Sequence, residues 1–166
     1  MGYWGHLLLA WTKDPLAALT EARAFGEPED ERRLIEDWSL LRAGHEPPDL
    51  RTALASVVQA TRMPALVAYV LDSDCAVLEA QTPAGLRWTA VLNRATAEAS
   101  YEGVADGVLP VDQVMAGAIG WANEAGLKPD QQMLSRALTE QAVFVEDLFD
   151  ELLVGLGIPG VEKPGA

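Results

Sequence analysis

Three short apolar segments in the middle of the chain narrow the possible folds more than any other feature. Residues 65–71, 75–80 and 86–92 are apolar, rich in strand-favouring side chains and bounded by turn chemistry. Asp72-Ser73-Asp74 separates the first two, and Thr82-Pro83-Ala84-Gly85 the second two. A parallel crossover needs a dozen or more residues, so connections this short join antiparallel neighbours. The three segments therefore predict an antiparallel meander.

The N-terminal segment 3–12 adds a strand. Tyr3, Leu7, Leu9 and Trp11 share one side, and Trp4, His6, Leu8 and Ala10 the other. A strand apolar on both sides is covered on both faces. Asp14-Pro15 ends it, and a short helix is expected over 15–24 with Leu16 and Leu19 inward. The next helix is expected from the acidic turn 26–30 to about Arg42. Leu34, Ile35, Trp38 and Leu41 would form its stripe and Gly44 its left-handed cap. After the connector 45–48, Asp49 is placed to cap a helix with Leu50, Ala53, Leu54, Val57 and Val58 inward, closed by Pro64.

Beyond the meander a further short strand is expected near 96–101. A helix follows over 111–125, lined by Val114, Met115, Ala118, Ala122 and Ala125. Its Ala116, Gly117 and Gly120 leave little side chain between it and a neighbour, either within the chain or in a second copy. Pro129 opens one long helix to about Val154, with Leu134, Leu138, Ala142, Val145, Phe149 and Leu152 in its stripe. The predicted class is α+β: an antiparallel sheet of about four strands, the N-terminal strand plus the meander, with helices packed on it and a C-terminal helical pair. Residues 1–155 form a single domain in this reading, and 156–166 a Gly/Pro-rich tail.

Charge removes some functions. Twelve Lys and Arg stand against 25 Asp and Glu, a net charge of −13. Such a chain repels phosphate backbones and anionic lipid surfaces, so neither nucleic acid nor membrane is an expected partner. No segment has the length of a membrane span or the layout of a signal peptide, and the lone Cys75 suits a reducing compartment, so the expected location is the cytoplasm. The chain is 49% hydrophobic, enough for a real core.

Catalytic motifs are missing. Gly155-Leu156-Gly157-Ile158-Pro159-Gly160 spells a dinucleotide fingerprint, but it follows a helix instead of a strand. The chain has no G-x-S-x-G elbow, no H-E-x-x-H and no C-x-x-C, and no cofactor is expected. Asp72 and Asp74, with Glu79 farther along, offer oxygen ligands to a divalent ion, though Asp and Ser are also ordinary turn residues. His6 would complete a ligand or hydrolase site if the first strand lay beside the meander; the plainer reading is a buried, hydrogen-bonded histidine.

The second candidate surface is acidic. Glu140, Glu146, Asp147, Asp150 and Glu151 crowd the last helix, with Val143, Phe144 and Val154 off its core stripe. A charged face on an amphipathic helix is ordinarily a solvated face, but apolar side chains rimmed by charge suit a docking surface for a basic partner. Trp121 lies off the core face of its own helix; partly exposed it would suit an interface anchor, and the plainer reading is packing at the edge of the core. Trp121, Phe144, Glu140, Asp147 and Glu151 thus make up a candidate partner-binding set. The function expected is a small acidic cytosolic interaction module without catalytic activity, binding a basic protein or itself. It resembles an immunity or antitoxin protein only by analogy of size and charge. The alternative is a small ligand-binding domain or hydrolase using His6, Asp72, Asp74 and Glu79.

Overall fold

The computed structural model describes residues 2–44 and 48–162, so the connector residues His45, Glu46 and Pro47 lie outside it. In chain order the elements are β1 (Gly5–Trp11), β2 (Pro28–Arg33), β3 (Trp38–Ala43), α1 (Leu50–Thr61), β4 (Ala65–Leu71), β5 (Cys75–Gln81), β6 (Arg87–Leu92), α2 (Arg94–Ser100), α3 (Val111–Glu124), α4 (Gln131–Thr139) and α5 (Val145–Leu156). Two 3-10 turns, Leu16–Ala18 and Thr20–Phe25, bridge β1 and β2.

The strands form one antiparallel sheet in the order β2-β3-β1-β4-β5-β6. The class is α+β as expected, but the sheet has six strands, not about four. The meander is there, and β1 does lie beside it, with Leu8 opposite Val67 on β4 and opposite Leu41 on β3. Helices cover both faces. Leu7, Leu9, Trp38, Leu40, Leu66, Ala68, Leu78 and Ala90 face α3, α4 and α5. Leu8, Ala10, Leu41, Ala43, Ala65 and Val67 face α1 and the 3-10 turns. The strand alternation of β1 and β3 serves two cores at once, which is why each carries apolar side chains on both of its sides.

The two extra strands replace the helix expected up to Arg42. Residues 28–43 are a hairpin, and Gly44 is no helix cap: its N–H donates to Glu27 O at 3.0 Å. The helical spacing of Leu34, Ile35, Trp38 and Leu41 is accidental. Ile35 is 59% exposed, and Trp38 and Leu41 are buried on opposite faces of the sheet. The turn escapes sequence reading because it uses no glycine. Glu36 and Asp37 take the left-handed conformation themselves, at φ 60° and 66°.

Two other expectations are corrected. Residues 96–101 belong mostly to α2, because alternating alanines fit a helix as well as a strand and the sheet already ends at β6. The long helix from Pro129 is two helices, broken at 140–144. Asp130 caps α4 with its carboxylate on the N–H groups of Gln132 and Met133. At the break, backbone donors turn to other partners: Ala142 N–H to Asn93 Oδ1 at 2.9 Å, and Val145 N–H to Ser73 O at 2.8 Å. The segment read as a tail begins inside the core, where Leu156 and Ile158 are buried. Asp49 caps α1 as expected. No helix among the described residues is long and apolar enough to cross a membrane.

Trp121 is the largest fully buried side chain among the described residues, which removes it as an exposed interface anchor and puts it deeper than the edge of the core. Its indole N–H donates to Ala65 O at 3.2 Å and Gln81 O at 3.0 Å, at paired ends of β4 and β5. The small residues beside it explain how α3 comes so close to the sheet. A Cβ on Gly117 would fall 2.6 Å from Trp88 Cβ, and one on Gly120 2.8 Å from Leu86 Cδ1. The small-residue face therefore meets β6 and the turn before it. Trp121→Phe removes the shared donor and part of the ring. Urea denaturation should show a loss of about 2–3 kcal/mol, whereas a surface tryptophan would cost well under 1 kcal/mol.

Candidate functional site

The β4–β5 turn organises one end of the molecule. Asp72 and Ser73 are both left-handed, at φ 51° and 58°, and Asp74 N–H closes the turn onto Leu71 O at 2.9 Å. A non-glycine residue pays about 1–2 kcal/mol for that conformation. Here the side chains offset it. Ser73 N–H donates to Tyr3 O, and Ser73 Oγ accepts from Tyr3 N–H at 2.7 Å. The same hydroxyl donates to Glu146 Oε1 at 2.6 Å, and Ser73 O accepts from Val145 N–H. One buried serine thus ties together the N-terminal segment, the meander and the start of α5.

The carboxylates considered for a metal have separate tasks. Asp72 Oδ1 accepts from Gly2 N–H at 2.7 Å, and Asp74 Oδ2 accepts from Tyr101 OH at 2.8 Å. Glu79 lies farther along β5 and holds Arg87 through two bonds, at 2.6 and 3.2 Å. His6 is buried on the α1 face. Its Nδ1 is 2.7 Å from Gly44 O, and its ring stacks on Tyr69 at 4.8 Å between centroids. The structure does not gather these four residues around one point. Among the described residues no group of three or more His, Cys, Asp or Glu is placed to hold a metal ion. Burial, then the Asp74 charge, pushes the Cys75 thiol up to about 11, so it is protonated at neutral pH.

The acidic surface divides differently. Glu140 and Glu151 both lie against Arg136, at 3.2 and 3.6 Å, and are partly neutralised by it. Asp147 is exposed near the start of α5. Val143 is 83% exposed and Phe144 57%. They project from the 140–144 break, whose backbone is held by Asn93 and Ser73. Trp4, 44% exposed, sits edge-on to Tyr101 at 6.5 Å, next to the Tyr3 that bonds Ser73. The exposed aromatic groups are thus fastened to the same turn from two sides.

A cleft of about 200 Å³ that sequence reading missed opens between the β1-β3-β2 part of the sheet and α5. Leu7, Leu40 and Phe149 form its apolar lining. Asp30, Arg32, Arg42, Glu146 and Asp150 bring charges of both signs. Register explains the arrangement. Asp30, Arg42 and Leu7 are in one cross-strand row, Arg32 and Leu40 in the next, and Glu146, Phe149 and Asp150 share one face of α5. No sequence signal marked Arg32 and Arg42, because the segment read as a helix hid their shared face.

Burial raises the Asp150 carboxyl above its usual range, with Asp147 and Glu146 adding to the effect and Arg32, at 3.9 Å, opposing it. No protein-family model, curated protein or solved structure matches the chain.

Ser73→Ala and Ser73→Gly both delete the hydroxyl bonds and should each cost about 1–3 kcal/mol in chemical denaturation. Glycine should be the milder by about 1 kcal/mol, because it relieves the left-handed backbone. For Asp150 the raised carboxyl favours the folded state below the ordinary Asp range, and that contribution is lost as pH rises through the raised value. Asp150→Asn should therefore raise the melting temperature at neutral pH. The gain should shrink as the medium is acidified, and a gain independent of pH would contradict the assignment.

Proposed function

We propose that this chain is a protein-interaction module whose anchor is the Val143-Phe144 knuckle and whose partner is a basic segment carrying an apolar side chain. The observation that supports it most is the combination of exposure and fixation at that knuckle. A mobile loop can expose a phenylalanine at little cost, but this one is pinned by Asn93 and Ser73 and still leaves Phe144 more than half exposed. Rigid aromatic groups lose little conformational entropy on binding, which is why they serve as anchors. Asp72, Asp74, Glu146 and Asp147 belong to the turn and the first turn of α5 beside the knuckle, and the chain as a whole carries −13. Such a field favours and accelerates the approach of a cationic partner.

Within this reading Trp121 leaves the anchor set, because it has no exposed surface. Phe144 and Asp147 remain, and Glu140 and Glu151 contribute less through their shared Arg136.

The test is a displayed-peptide library selected on the protein and re-screened on Phe144→Ser. Enriched peptides should be basic, contain an apolar residue and bind Phe144→Ser at least about tenfold more weakly. Their affinity should fall as salt rises. Enrichment of peptides without positive charge, or binding indifferent to Phe144→Ser, would overturn the proposal. The melting temperature of Phe144→Ser should stay near that of the parent, since the ring is mostly solvated.

A further inference from the structure

The charged cleft beside α5 is a different surface from the knuckle, although Glu146 borders both. Its walls carry two half-buried groups, each with one buried atom that finds no hydrogen-bond partner among the described residues: Arg42 Nε and Glu146 Oε2. They are of opposite sign, yet no ion pair joins them. Each is held in place by something else. Arg42 lies over the Tyr3 ring, 4.0 Å from its centroid. Glu146 is fixed through Oε1 by Ser73 Oγ at 2.6 Å. Opposite charges kept apart across a partly buried space are costly unless a third group satisfies both.

We propose that the cleft binds a free α-amino acid, with its carboxylate toward Arg42, its ammonium toward Glu146 and its side chain against Phe149 and Leu40. Charge selects this class. Arg32 and Arg42 face Asp30, Glu146 and Asp150, so a simple anion meets three carboxylates and a simple cation meets two guanidinium groups. A zwitterion matches both sides. Size agrees: the cleft, at about 200 Å³, exceeds the roughly 150 Å³ cavity that suffices for benzene. Its lining joins apolar walls to a few convergent polar groups, the usual make-up of a small-molecule site.

The experiment is a melting-temperature screen of the full chain against each of the common L-amino acids at about 10 mM, followed by calorimetric titration of the best one. An amino acid present at about a hundred times its dissociation constant should raise the melting temperature by several degrees. Its decarboxylated amine and its deaminated acid should each bind at least about tenfold more weakly than the zwitterion. Arg42→Gln should lose binding to a similar extent. Because that change also removes the cation stacked on Tyr3, Arg42→Lys is the companion variant: it keeps a positive charge over the ring and should lose less binding than Arg42→Gln. No shift with any amino acid, an amine or acid binding as well as the zwitterion, or full binding by a folded Arg42→Gln would each overturn the proposal. Failure here leaves the knuckle untouched, since Phe144→Ser does not alter the cleft lining.

Discussion

The four hydrogen bonds of Ser73 hold together what the sheet alone does not. Strand pairing fixes β4 against β5 and β1 against β4, but it says nothing about where the chain beyond Ala142 should go. Ser73 settles that by accepting the N–H of Val145 and donating to Glu146. The start of α5 is set there, and with it the direction of the face bearing Glu146, Phe149 and Asp150. The same serine anchors Tyr3, over whose ring Arg42 lies. Both surfaces discussed above, one aromatic and one charged, therefore inherit their geometry from a single turn residue in an unfavourable backbone conformation.

How much of this was legible in the sequence depended on where the conformational signals lay. The meander and α1 were readable because Asp49, Pro64, Pro83 and Gly85 mark their limits in residue chemistry. β2 and β3 were not, because Glu36 and Asp37 make a left-handed turn without the glycine or asparagine that normally reveals one. Trp38 and Leu41 then fell by chance at a helical spacing while being buried on opposite sides. The break at 140–144 was equally hidden. Ala142 and Val145 continue the stripe of the preceding helix, and only their bonds to Asn93 and Ser73, distant in sequence, show why the helix stops.

The candidate sites follow the same division. Phe144 and Asp147 could be picked from local pattern, because an apolar side chain off the stripe of an acidic helix is visible in one segment. Trp121 could be placed no deeper than the edge of the core from its angle on α3; the close approach of α3 to β6 at Gly117 and Gly120 buries a wider arc that takes it in whole. The cleft could not have been found at all. Its five charged residues come from β2, β3 and α5, and only the pairing of β2 with β3 brings Asp30 and Arg42 into one row.

That same β2 borders open solvent at the edge of the sheet, and its sequence is Pro28-Glu29-Asp30-Glu31-Arg32-Arg33. A proline and five consecutive charges make a poor template for another strand. The Arg33 side chain folds back onto the carbonyls of Thr12, Lys13 and Asp14, clasping this margin to its own chain. The sheet is thereby sealed against growth on that side. What this edge offers a neighbour is a row of charged side chains and not a backbone ladder.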